Sequence, residues 1–143
     1  MKFKLRGLPL LLATALSLAA QAVPVPATPL PEVKAYSGAD GVKVWLEQIG
    51  PRRANMFLVR IGGVDHAWNM RILRMDGLSL LDESLFKLHS QTTEQQIALV
   101  LRGDCGEVML PGEAHGRKVC YDQELSATQD AKQFVTAYVT QRL

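Results

Sequence analysis

The 143-residue chain lacks the short signatures around which catalytic sites are commonly built. It has no Gly-x-Ser-x-Gly elbow to expose a nucleophile and no His-Glu-x-x-His pair to hold zinc. It also lacks a glycine loop to cradle phosphate and a dinucleotide fingerprint. Cysteine is scarce, with Cys105 and Cys120 alone. Together with His115 they make three zinc donors at irregular spacing, where a structural site takes four. Fourteen residues separate them, whereas redox couples usually keep their thiols two residues apart. Lys and Arg form no cluster or stripe, so the electrostatic footprint of a nucleic-acid binder is missing. The sequence implies neither a metal nor any other cofactor.

What is present begins with an export signal. "MKFKLRG" carries three positive charges, "LPLLLATALSLAA" is a short apolar run, and Ala20 and Ala22 supply small residues for cleavage after Ala22. Residues 1–22 thus read as a secretory signal peptide. The apolar run, about 13 residues, is shorter than the roughly 20 needed to span a bilayer, so no stable membrane anchor is expected after cleavage. No cysteine follows the run for lipid attachment, and the compact charged start points to the bacterial periplasm. Removing Lys2, Lys4 and Arg6 leaves thirteen basic against fourteen acidic residues. The apparent basicity therefore belongs to the targeting segment.

Residues 23–35 hold prolines at positions 24, 26, 29 and 31. Proline removes backbone donors and favours extended geometry, so this stretch reads as a flexible leader. Residues 36–143 are then a single globular domain.

Within it the pattern is first that of strands. Val42, Val44 and Leu46 alternate with Lys43, Trp45 and Glu47, and Phe57, Val59 and Ile61 alternate with Met56, Leu58 and Arg60. Gly50-Pro51 and Gly62-Gly63 mark turns. A third run continues from Val64 through Ile72, placing His66 and Trp68 on one face and Asp65 and Asn69 on the other. "LSLLDESLFKLHS" changes period: Leu81, Leu85 and Leu88 make a helical stripe, with Ser79 as N-cap. "IALVLR" is a strand buried on both faces. "SATQDAKQFVTAYVTQRL" opens with Ser126 and Gln129 as a capping box and collects Ala131, Phe134, Val135 and Tyr138 on one side of a C-terminal amphipathic helix. The expected fold is α+β, an antiparallel sheet of about five or six strands in a meander or sandwich, with a short mid-chain helix and a C-terminal helix.

The segment from Arg102 to Cys120 contains both cysteines. An exported chain matures where thiols oxidise, and a lone pair most simply forms one disulfide. A turn at Gly112-Glu113 would set Val108 against Arg117, Glu107 against Lys118, Gly106 against Val119 and Cys105 against Cys120. Turn type, an opposite-charge pair and the disulfide agree in that register. Pro111 argues for a wider tip, because it cannot donate to a strand ladder. Arg102-Gly103-Asp104, the adhesion tripeptide, reads as a strand end and turn.

Candidate contact residues follow from this layout. Trp45 sits between Lys43 and Glu47, where an exposed indole could anchor an interface, or a helix could cover it. Pro111, Glu113 and His115 lie in a loop that a disulfide at its base would hold rigid. Asp65, His66 and Trp68 are the most tempting catalytic constellation. Adjacent strand residues point to opposite faces, however, so Asp65 is poorly placed to orient the His66 imidazole. The function expected is that of an exported, non-catalytic binding domain of the inhibitor or immunity type, whose protein partner is a hydrolase or toxin. The alternative is a small periplasmic hydrolase-like or ligand-binding domain using His66 or His115.

Overall fold

A computed structural model describes residues 31–90 and 96–142. The expected signal peptide, residues 1–22, and most of the expected proline-rich leader, residues 23–35, lie outside the described residues. The chain forms β1 (Val33–Ser37), β2 (Lys43–Ile49), a 3-10 turn (Arg52–Ala54), β3 (Met56–Gly62), β4 (Ile72–Ser79), β5 (Ser84–Leu88), β6 (Ile97–Arg102), β7 (Cys105–Val108) and β8 (Arg117–Tyr121). Two helices follow, α1 (Gln123–Ala127) and α2 (Ala131–Gln141). Each strand pairs antiparallel with the next, and β8 returns to β1, so the sheet is a closed eight-stranded barrel.

The open sheet of five or six strands expected from sequence is therefore wrong, and two strands account for the difference. β1 takes Val33–Ala35 from the end of the proline-rich stretch. β5 replaces the expected mid-chain helix: Leu85 faces Leu78 and Ser84 faces Ser79 across a hairpin closed by Leu80 N–H donating to Glu83 O at 2.7 Å. Leu81, the supposed start of a buried stripe, is fully exposed, whereas Phe86 points inward at 4 % exposure. A short apolar run fits periods of 2 and 3.6 almost equally well. Pairing decides here, because β5 satisfies the edges of both β4 and β6. The third expected strand also begins later than its alternation suggests. Residues 63–71 form a loop in which Asn69 N–H donates to His66 O and Met70 N–H to Ile61 O, and β4 starts at Ile72.

Two apolar clusters divide the molecule. The barrel interior is filled by side chains including Val44, Val59, Ile61, Met75, Leu99, Val108 and Val119. A second cluster lies outside, where α2 covers Val33, Ala35, Trp45, Leu58 and Ile72 with Phe134. Phe134 is wholly buried, and the Arg60 guanidinium lies between its ring and that of Trp45, at 5.1 and 4.5 Å from the centroids. The far end of α2 is fastened by Gln141, whose side-chain amide donates to Ile72 O at 2.6 Å and accepts from Ile72 N–H at 2.9 Å.

The seam between β8 and β1 is only two residue pairs long, Tyr36 with Tyr121 and Ser37 with Cys120. Beyond it the chain turns into α1, and side chains complete the ladder. Asp122 N–H donates to Ala35 O at 2.9 Å, and Ala35 N–H donates to Ser126 Oγ at 2.8 Å. Ser126 is thus not the N-cap of the C-terminal helix. Asp122 caps α1 through Leu125 N–H, and Asp130 caps α2 through Gln133 N–H. A buried backbone donor left without a partner costs about 1–3 kcal/mol. Ser126→Ala is accordingly expected to destabilise the domain by about 1–2 kcal/mol in urea denaturation, and an unchanged midpoint would contradict this role.

Candidate functional site

The up-and-down order of the strands places loops 38–42, 63–71 and 109–116 at one end of the barrel, and loops 50–55, 80–83 and 103–104 at the other. The first end is closed. Val42, Val64 and Leu110 are all nine-tenths or more buried and join the inner cluster from these loops. Gly63 allows the close approach: at φ +71° its backbone passes so near Gly41 that a Cβ would fall 2.1 Å from the Gly41 carbonyl oxygen.

Two groups of residues singled out from sequence meet here. His66 Nε2 donates to Pro111 O at 3.2 Å, and His66 Nδ1 accepts from Trp68 N–H at 3.1 Å. Because one partner is a carbonyl and the other an N–H, the ring is fixed as the Nε2–H tautomer. Its edge meets the Trp68 indole at 5.4 Å between centroids. Both nitrogens are occupied by backbone, and Asp65 makes no hydrogen bond to the ring among the described residues. His66 thus ties two loops together and has no free nitrogen with which to take a substrate proton.

The loop beyond Pro111 is wider than a two-residue turn. Glu113 N–H donates to Leu110 O at 3.1 Å, with Pro111 second and Gly112 third at φ +83°, which is the layout of a type II turn. The register below it is as the sequence suggests, with Cys105 opposite Cys120, Gly106 opposite Val119, Glu107 opposite Lys118 and Val108 opposite Arg117. The Cys105–Cys120 disulfide is formed, as expected of a chain that matures in an oxidising compartment. Glu113 grips the Arg117 guanidinium with both oxygens, at 2.8 and 3.1 Å, and that contact holds its carboxyl below the usual carboxylate range. Arg117 was not legible as a partner until the strand ended where it does. His115 is exposed beside this fork.

Trp45 is placed elsewhere. At 8 % exposure it lies under α2 and offers no anchor to a partner. The face it shares with Lys43 and Glu47 looked polar in sequence, yet only Lys43 stays exposed and the helix covers Trp45.

Among the described residues the opposite end of the barrel is open. A cavity of about 830 Å³ extends from the ends of the inner cluster, where Phe57 and Phe86 meet edge to face at 4.9 Å, over the rim to Glu47, Ile49 and Val135 on the outer side. Glu47 is only 2 % exposed. No described residue donates to its Oε2, and burial, reinforced by the like charge of Asp130, pushes its pKa up to about 7. Sequence reading passed over this acid because it alternates with Lys43 on what looked like a solvent face. Among the described residues no group of three or more His, Cys, Asp or Glu is placed to hold a metal ion.

No protein family, curated protein or solved structure matches this chain.

Proposed function

We propose that this chain is a non-catalytic binding domain, exported to the periplasm, that holds a protein partner such as a hydrolase or toxin at its closed end. The observation that carries this reading is the His66–Pro111 hydrogen bond. It joins the two loops bearing Asp65, Trp68, Glu113 and His115 into one surface before any partner arrives. Ordering flexible loops on binding costs affinity, so a surface already fixed by a histidine bridge and an Arg–Glu fork, on a hairpin tied at its far base by the disulfide, forfeits little. The absence of a free base on His66 supports binding over hydrolysis.

The test is capture from periplasmic extracts, of the producing cells and of competing bacteria, on the immobilised mature chain. One partner in 1:1 stoichiometry is expected. His66→Ala, which unties the loops, should weaken its binding about tenfold, equivalent to about 1.4 kcal/mol. His115→Ala, which leaves the fold intact, should weaken it as well. A partner bound equally by wild type and by both variants would place the contact elsewhere.

A further inference from the structure

At the open end of the barrel, away from the loops that His66 joins, a buried acid lines a cavity. A carboxyl group removed from water is destabilising unless a donor reaches it. Glu47 is nearly wholly buried, its Oε2 has no partner, and the nearest ionisable influence on it is Asp130, of the same sign. Nothing among the described residues offsets that cost, and a buried, unpaired acid in a cavity wall is the kind of group that functional sites retain. The cavity is of the size that encloses small organic ligands, roughly 300–1,000 Å³. The same cavity is lined by apolar Ile49, Val135, Phe57 and Phe86, with Gln48 and Ser84 as neutral polar groups. A cavity that combines one buried, unpartnered acidic acceptor with aliphatic and aromatic lining suits a ligand with one strong donor on an apolar body.

We propose that this cavity binds an organic amine, whose ammonium group donates to the Glu47 carboxylate and whose apolar body lies along Ile49 and Val135 towards the Phe57–Phe86 floor. Glu32, Asp82, Lys34 and Arg52 are all exposed around the opening, two acids and two cations. Those two cations define the rival ligand, an apolar anion held at the rim.

Three probes of matched shape separate the alternatives: 4-phenylbutylamine, 4-phenylbutanol and 4-phenylbutyrate, titrated into the full secreted chain by calorimetry and by NMR of the Ile49 and Val135 methyl groups. The amine is expected to bind with Kd of about 1 mM or tighter, with the alcohol at least tenfold weaker and the carboxylate weaker still. Glu47→Gln keeps the shape and removes the charge, and it should reduce amine affinity at least tenfold while leaving the alcohol unchanged. Asp82→Asn, at the rim, should change it less than threefold. Absence of amine binding, equal amine binding by Glu47→Gln, or tighter binding of the carboxylate would each overturn the proposal. The last would assign the site to Lys34 and Arg52.

Discussion

Replacing both cysteines by serine is expected to lower the unfolding free energy by about 3 kcal/mol, because the disulfide closes a loop of roughly 15 residues and so restricts the unfolded chain. For a domain of this size that corresponds to a fall in Tm on the order of 10 °C. The location adds to the consequence. Cys120 lies in the seam, opposite Ser37 of β1, and the barrel is closed there by only two residue pairs. Cys105 links that residue to β7, and Tyr121 N–H donates to Asp104 O at 2.6 Å just beyond it. The last turn of the barrel is thus held to β7 covalently as it hands over to β1. Denaturant unfolding of the oxidised chain, the reduced chain and the double-serine variant provides the check. Superimposable curves would mean that the closure stands without the bridge.

Raising the pH from 5 to 8 is expected to destabilise the wild-type domain, and Glu47→Gln should abolish that loss. In the folded state the Glu47 pKa is about 7, against an ordinary value of 4.5, so the native state holds this proton more tightly than the unfolded chain does. Its contribution is complete below about pH 4.5, falls as pH rises through 7 and is gone above that. A pKa unit corresponds to about 1.4 kcal/mol, so the loss is on the order of 3 kcal/mol across the window. Asp122 acts in the opposite sense. Leu125 N–H and the Ser37 hydroxyl hold its pKa below 3.8, so its contribution is lost only as the solution becomes more acid than that. The window from pH 5 to 8 therefore separates the two carboxyls. Melting curves of wild type and Glu47→Gln at both pH values supply the measurement, and the variant should be the more stable protein at pH 8. Parallel pH slopes in the two proteins would remove Glu47 from the account.

These two expectations came from different depths of reasoning. The Cys105–Cys120 register was legible because a hairpin is a local object. Strand alternation, a glycine-bearing turn and the opposition of Glu107 to Lys118 all lie within twenty residues, and each limits the others; the turn itself centres on Pro111-Gly112 and not on the expected Gly112-Glu113. The alternation of Phe57, Val59 and Ile61, and the continuous run of β6, were readable for the same reason. Glu47 was not legible. Its neighbours Lys43 and Trp45 describe a half-polar face, and only the arrival of α2, more than eighty residues later, turns that face into an interior. Trp45 was left open by the same ambiguity. Ser126 was misassigned because a hydroxyl three residues before a glutamine looks like a helix cap wherever it occurs. Its use here, satisfying Ala35 across the seam, depends on a strand 91 residues away.

The sequence alone determined a β-rich chain with one disulfide-tied hairpin and a C-terminal amphipathic helix, and it raised the expectation of export, since targeting signals, patterning and turn chemistry are local. The tertiary structure decided that β1 and β5 are strands, and with them that the sheet closes into a barrel, because closure is a condition on all eight strands at once. It also decided that His66 binds Pro111 and that Glu47 is a buried acid in a cavity wall whose Oε2 has no partner among the described residues. Those contacts depend on which loops share an end and which face the last helix covers, and no stretch of neighbouring residues encodes either.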